Sequence, residues 1–353
     1  MGDSAELALK EINAAGGVLD GKNLVPVRGD STCIDSSVAA STAERMINSD
    51  GVVAIVGADC SGVTSAVLAN VALPNAIPMV SPSATSPALS TAEDNGLFFR
   101  TAPSDARQGA VLAEILAQRN ITNVAVSYTN NDYGKGLSDS FISNFEAAGG
   151  TISLSSPHED GKADYSAEVG ALSAAGGELL VVLGYSDQGG KEIIRASVES
   201  GAFETFMMGD GMYGDALLAN LGADLEGSFG TVPWSKGEGA TAFSDITAAA
   251  NVNGESSFTR ESYDAAALIA LAIEAAGEKT PRAIADNILN VANAPGEQIL
   301  PGELSKALDI LRSGGQIDYV GATNVELIGP GEAAGTYRHY QITGDDFDTV
   351  EFR

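Results

Sequence analysis

VVAIVGADCSGVTSAVLANVALPNAIPMVSPSATSP, residues 52–87, decides the reading of this chain. A short β-branched run at 52–57 ends in the small and polar residues GADCSG, 57–62. A helical stretch rich in alanine and valine follows at 62–73, and a second strand-like run at 76–81 ends in SPSATSP, 81–87. Strand, turn, helix and strand in that order make a βαβ unit, with its strands parallel and its crossover right-handed. In sheets built from such units, the residues that meet a ligand gather at the carboxyl ends of the strands.

The rhythm continues on both sides. Further strands are expected at 24–29, 123–128, 151–155, 178–184, 205–209, 228–232 and 336–342. Helices are expected near 4–15, 35–49, 105–119, 134–148, 163–175, 187–201 and 214–221. The alternation breaks after Trp234: residues 239–313 read as almost entirely helical, and 316–353 return to strands. This predicts an α/β fold of doubly wound parallel sheets covered on both faces.

Composition removes whole classes of function. The 353 residues allow two domains. Nineteen basic residues against 47 acidic ones leave a net charge of −28. Such a chain neutralises no run of phosphates and docks on no anionic membrane. Apolar residues make up 44%, enough for large cores despite the charge. Two histidines and two cysteines leave no Cys/His metal cluster and little scope for histidine catalysis. Accordingly, no metal or cofactor is expected. No apolar stretch reaches the roughly 20 residues that span a bilayer. Residues 1–15 lack the basic start and apolar centre of a signal peptide and read as an amphipathic helix.

Five strand ends carry the chemistry: GADCSG (57–62), SPSATSP (81–87), NNDYGKG (130–136), VVLGYSD (181–187) and MMGDGMYG (207–214). Helix starts and hydroxyls suit a carboxylate, whereas an aspartate and tyrosine faces suit an ammonium group. The set fits a small zwitterion. Cys33 and Cys60 each follow a strand-like run, which leaves them either a disulfide or two buried thiols.

Other motifs are decoys. GGVLDGKN (16–23) nearly matches a phosphate-binding loop, but Asn23 replaces the hydroxyl residue and the segment follows a helix, so it reads as a helix cap and turn. GDGMYG (209–214) matches a dinucleotide fingerprint, yet Asp210 inside it would repel a pyrophosphate. Cys60 and Ser61 lack a placed base, because His158 and His339 read as surface histidines in polar, turn-like surroundings. Trp234 reads either as a ligand wall or as packing beside a hinge.

The segments ELALKEINAAGGVLDGKNL (6–24), DSTCIDSSVAASTAERMI (30–47), VVAIVGADCSGVTSAV (52–67), IPMVSPSATSPALS (77–90), FFRTAPSDARQGAVLA (98–113), NNDYGKGLSDSF (130–141), ADYSAEVGAL (163–172), VVLGYSDQGGKEIIRASVESG (181–201) and FMMGDG (206–211) run collinearly over nearly the whole chain. As a set, the chain resembles the branched-chain amino-acid-binding proteins, the periplasmic solute receptors of ABC importers with the type I periplasmic-binding fold.

The resemblance implies two α/β lobes joined by three crossovers, 1–121 with 234–330 and 122–233 with 331–353, and a hinge closing over a ligand. It implies that Ser61, Ala84 and Thr85, with Ser83 beside them, hold an amino-acid carboxylate. Asp210 would face the α-amino group, and Tyr133 and Tyr185 would line the closing lobe. It further implies a Cys33–Cys60 disulfide, a periplasmic location, a monomer, and delivery of the amino acid to an inner-membrane ABC permease without catalysis. Family members begin with a strand ahead of the helix that starts here near Asp3, so an upstream segment is expected. The alternatives are a receptor for an amide, urea or aromatic acid, a sensory module, and a hydrolase using Ser61 or Cys60.

Overall fold

The computed structural model describes residues 1–353, which divide into two compact units. The first comprises Met1–Thr85, Leu89–Pro103 and Ser235–Ala334. The second comprises Ser86–Ala88, Ser104–Trp234 and Gly335–Arg353.

The first unit is organised around the helix Thr259–Ala276. Its run of Ala, Leu and Ile favours helix, and it is apolar on all sides from Ala265 to Ile273, which requires burial all round. Fifteen of its residues are buried, and it stops at Gly277, whose φ of 67° is open to glycine at little cost. The helix packs against Gly2–Ala14, Pro281–Ala292 and Leu304–Arg312 in one core with Ile12, Leu268, Ile288 and Leu308. The unit's five-stranded sheet runs in the order Ile55–Val56, Met79–Ser81, Phe98–Pro103, Glu332–Ala333, Leu327–Ile328. The first four are parallel and the last is antiparallel. Glu297–Ile299, inside the stretch expected to be helical, pairs in a small parallel sheet with Ile317–Tyr319, in the stretch expected to return to strands.

Two strand expectations change here. Residues 24–29 pair with no strand, and Val25 is 80% exposed; the sheet's edge is Ile55–Val56. Conversely, Phe98–Pro103 is a strand buried at every residue, within a segment read only as a motif.

The second unit carries a seven-stranded sheet in the order Asp346–Phe352, Tyr337–Thr343, Phe229–Pro233, Phe206–Met208, Leu180–Leu183, Asn123–Thr129, Thr151–His158. The last five are parallel, and Tyr337–Thr343 is antiparallel to both its neighbours. Chain order reverses between Leu180–Leu183 and Asn123–Thr129, the switch point at which such sheets open a crevice.

Helix Asp105–Gln118 belongs to this unit, so the crossing expected at 121 lies at 103–104. The physical reason is close packing on helix Asp132–Ala147. A Cβ on Gly109 would lie 2.6 Å from the Phe141 nitrogen, so only glycine lets the two backbones approach this far. Trp234, held open between two readings, packs in the second unit's core with Tyr340 and Phe206, its ring beneath the Arg338 guanidinium at 5.1 Å. Its backbone N–H donates to the Thr336 carbonyl. These contacts make it the packing residue at a crossing.

Candidate functional site

In the first unit, two strand ends are stitched together. The Ser81 hydroxyl donates to the Ala58 carbonyl at 2.8 Å and accepts from the Ala84 N–H at 3.1 Å. The Ser83 hydroxyl donates to Asp59 Oδ1 at 2.9 Å. Cys33 and Cys60 form a disulfide with a Cα–Cα distance of 5.2 Å, which ties the loop before helix Ser36–Arg45 to the residue that caps helix Ser61–Val67. Ser61 is the first residue of that helix, where backbone N–H groups lack intrahelical partners. The structure therefore brings Ser61, Ser83, Ala84 and Thr85 to one sheet edge. All four are buried.

Hydroxyl bookkeeping separates these residues. Ser83 is already engaged with Asp59. Thr85 is buried at 2% exposure, and its Oγ1 has no hydrogen-bond partner. Leaving such a group unmatched costs about 1–3 kcal/mol. Thr64 Oγ1 is in the same condition, one helical turn after Ser61 and on the same helix face. Sequence reasoning missed Thr64; the signal was the i, i+3 spacing of Ser61 and Thr64.

Arg100 was missed as well. Its side chain is 1% exposed, and it donates to the Ala84 carbonyl at 3.0 Å, to Ser90 Oγ at 2.7 Å and to Glu332 Oε2 at 2.5 Å.

In the second unit, Tyr133, Tyr185 and Asp210 come together at the ends of three adjacent parallel strands. Asn131 caps the helix that carries Tyr133, its Oδ1 accepting from Gly134 N–H at 3.1 Å. The Tyr133 hydroxyl donates to Asp210 Oδ1 at 2.8 Å and accepts from the Gly211 N–H at 3.0 Å. The rings of Tyr133 and Tyr185 stack with centroids 5.2 Å apart. Gln108 donates to Thr231 Oγ1 at 3.0 Å.

Asp210 is buried and no arginine or lysine pairs with it. Burial pushes its carboxyl up to about 6, against the opposing pull of the Tyr133 hydrogen bond. Burial, and then the charges of Asp210 and Asp105, raise the Tyr133 phenol well above its ordinary value. GDGMYG forms a single tight turn, Asp210–Met212, before helix Asp215–Leu221, with the aspartate at its start. GGVLDGKN is a helix end and turn: Gly17 N–H returns to the Ile12 carbonyl, and Val18 bridges Lys22.

The histidines differ from expectation, since both are buried. His158 ends strand Thr151–His158, with Nδ1 2.9 Å from Ser127 Oγ and its ring edge-on to Tyr165. Burial lowers its pKa to about 4. His339 lies in strand Tyr337–Thr343 beside Phe229, and burial lowers its pKa too. Inward-facing strand positions, not turns, hold both rings. No group of three or more His, Cys, Asp or Glu side chains is placed to hold a metal ion. No helix is long and apolar enough to cross a membrane.

Comparison with known proteins gives consistent results. A family model described as periplasmic binding protein matches residues 1–302. The chemotactic signal transduction system substrate-binding protein BasB of Halobacterium salinarum is 30% identical over 364 residues, covering 98% of this chain and 83% of that protein. The leucine-, isoleucine-, valine-, threonine- and alanine-binding protein of Pseudomonas aeruginosa is 30% identical over 285 residues, covering 80% of this chain and 75% of its own length. In fold, the chain is similar to the branched-chain amino acid transporter substrate-binding protein LivJ of Streptococcus pneumoniae, solved with isoleucine. The TM-score is 0.81 at 24% identity, over 100% of this chain and 93% of that one.

Proposed function

The chain belongs to the periplasmic binding protein family, and on that premise we propose that it is a receptor for a free amino acid with an aliphatic side chain. It captures the solute outside the cytoplasmic membrane and delivers it to an ABC permease. The observation that carries this reading is the buried Thr85 hydroxyl without a partner, on a strand-end turn beside a helix start. It offers a donor where a carboxylate would complete it.

In this reading Ser61, Ala84 and Thr85 take the carboxylate, and Ser83 stiffens the turn through Asp59. Asp210 takes the ammonium group, and Tyr133 and Tyr185 supply the wall beside it. The aliphatic side chain is supported by what the names of the Pseudomonas and Streptococcus proteins state that they bind. A location in an oxidising compartment is supported by the Cys33–Cys60 bridge. The relative named for chemotactic signal transduction favours a second reading, in which the same receptor also reports its ligand to a sensory partner.

The test is a thermal-shift screen across the amino acids followed by calorimetry on the hits. A ligand at about 100 times its Kd stabilises by about 2.7 kcal/mol. Leucine, isoleucine or valine should raise the melting temperature, and their amides should do so far less. A screen in which no amino acid shifts the transition rejects the proposal.

A further inference from the structure

Arg100 is a charged residue in the middle of a wholly buried strand. It gathers three separate chain segments. From strand Phe98–Pro103 its Nη1 reaches the Ala84 carbonyl at 3.0 Å, its Nη2 reaches Ser90 Oγ at 2.7 Å, and its Nε and Nη2 meet Glu332 Oε2 at 3.2 and 2.5 Å. Ser90 donates to the same Glu332 oxygen at 2.6 Å, closing the network. Glu332 stands opposite Arg100 in the sheet register, so the ion pair is built into the strand pairing.

The contact with Ala84 has a directional consequence. The Ala84–Thr85 peptide is trans, and in a planar trans peptide the carbonyl and the following N–H point opposite ways. Holding the Ala84 oxygen against the guanidinium therefore turns the Thr85 N–H away from it. The Ala84 N–H is fixed from the other side by Ser81 Oγ at 3.1 Å. The turn that presents Thr85 is thus clamped at both ends, and Thr85 Oγ1 is the buried group left without a partner.

From this geometry we infer that Arg100 is a positioning residue for carboxylate recognition, acting through the Ala84–Thr85 peptide with Glu332 and Ser90 as its anchors. The inference rests on the proposed reading of Thr85 as a carboxylate contact. Arg100 does not touch the ligand; it sets the aim of the groups that do. Lysine cannot replace it, because one ammonium does not reproduce a planar fork directed at three acceptors.

The experiment compares leucine with leucinamide by calorimetry on the full chain. Wild type should prefer leucine. Arg100→Lys should weaken leucine binding by about tenfold to a hundredfold and leave leucinamide within about twofold, so that the preference collapses. Glu332→Gln, which keeps shape, provides the same readout should Arg100→Lys not fold. On a Thr85→Val background, which keeps the peptide and deletes only the hydroxyl, either substitution should cost less than it does in wild type, because part of what Arg100 aims is already gone. Equal loss for leucine and leucinamide, unchanged leucine affinity, or full additivity with Thr85→Val overturns the positioning role. If wild type itself binds no amino acid, the proposed function falls first, and this inference with it.

Discussion

Replacing Asp210 with asparagine should move two measurements in opposite directions. In the ligand-free chain the carboxyl ionises at about 6 rather than at its ordinary 3.8, chiefly because it is buried. Each pKa unit corresponds to about 1.4 kcal/mol, so at pH 7 the ionised group is held at a cost of about 3 kcal/mol. Asparagine keeps an acceptor for the Tyr133 hydroxyl, now 2.8 Å from Oδ1, and carries no charge to desolvate. Empty Asp210→Asn should therefore melt several degrees higher than wild type, at about 2–4 °C per kcal/mol for a domain of this size. Under the proposed function the same change would remove the partner of the ligand's buried ammonium, a loss of about 3–5 kcal/mol and hence of two to three orders of magnitude in Kd. Scanning calorimetry of the empty protein and titration calorimetry with leucine read the two effects separately. Wild-type affinity in the variant would show that Asp210 does not meet the ligand. A lower melting temperature would show that its charge is not strained, and either result refutes the reasoning. Strain of this kind at a proposed binding residue is the usual trade of stability against function.

Thr85→Val should weaken leucine binding by about 1.5–3 kcal/mol and leave the empty protein as stable or more so, because it deletes a buried hydroxyl that has no partner; a less stable empty variant would mean that the hydroxyl is satisfied. Reducing the Cys33–Cys60 bridge, which spans a sequence separation of 27, should lower stability by roughly 3–4 kcal/mol on the chain-entropy model, measured by urea melts with and without reductant. Leucine affinity should fall about tenfold between pH 7 and pH 5 as Asp210 takes up a proton with a pKa near 6. Stability of the empty chain should carry the opposite contribution. Burial raises Asp210 and Asp264 from 3.8 to about 6 and Glu261 from 4.5 to about 7, so their contribution is full below pH 4 and lost as pH rises through 6–7. With a net charge of −28, the melting temperature should rise between about 0.1 and 1 M salt, where the screening length falls from ~10 to ~3 Å; a flat profile would dismiss self-repulsion.

The parallel sheets were legible because each βα unit is short and self-contained: the runs at 123–128, 178–184 and 228–232 became Asn123–Thr129, Leu180–Leu183 and Phe229–Pro233. Strand Phe98–Pro103 was not, because Arg100 interrupts its apolar run and the glutamate that balances it lies 232 residues away. The histidines misled for a related reason. Polar neighbours such as Ser155, Ser156, Glu159 and Asp160 suggested a surface, but at the strand's end His158 is buried between Ser127 and Tyr165, contacts that its neighbours in sequence do not show. The segments that make up the candidate site were visible as strand ends. Which hydroxyls were already engaged was not, since that depends on contacts such as Ser83 with Asp59 that only the folded turn creates.

The interleaving of the chain between its two units has a consequence for how the protein is made. The Ser4 hydroxyl waits for the Thr259 carbonyl 255 residues later, and Trp234 waits for Thr336, 102 residues on. A ribosome working at about 5–20 residues per second must pass Glu332–Ala333 before the first unit has all its strands, and Asp346–Phe352 before the second has. Until then, strand Phe229–Pro233 lacks its antiparallel neighbour Tyr337–Thr343, and the core built on Thr259–Ala276 does not exist for helix Gly2–Ala14 to join. The nascent polypeptide is thereby kept from early completion by its topology alone. A stop codon placed shortly before Gly335 would release a chain whose second unit keeps an open sheet edge, a ready template for aggregation.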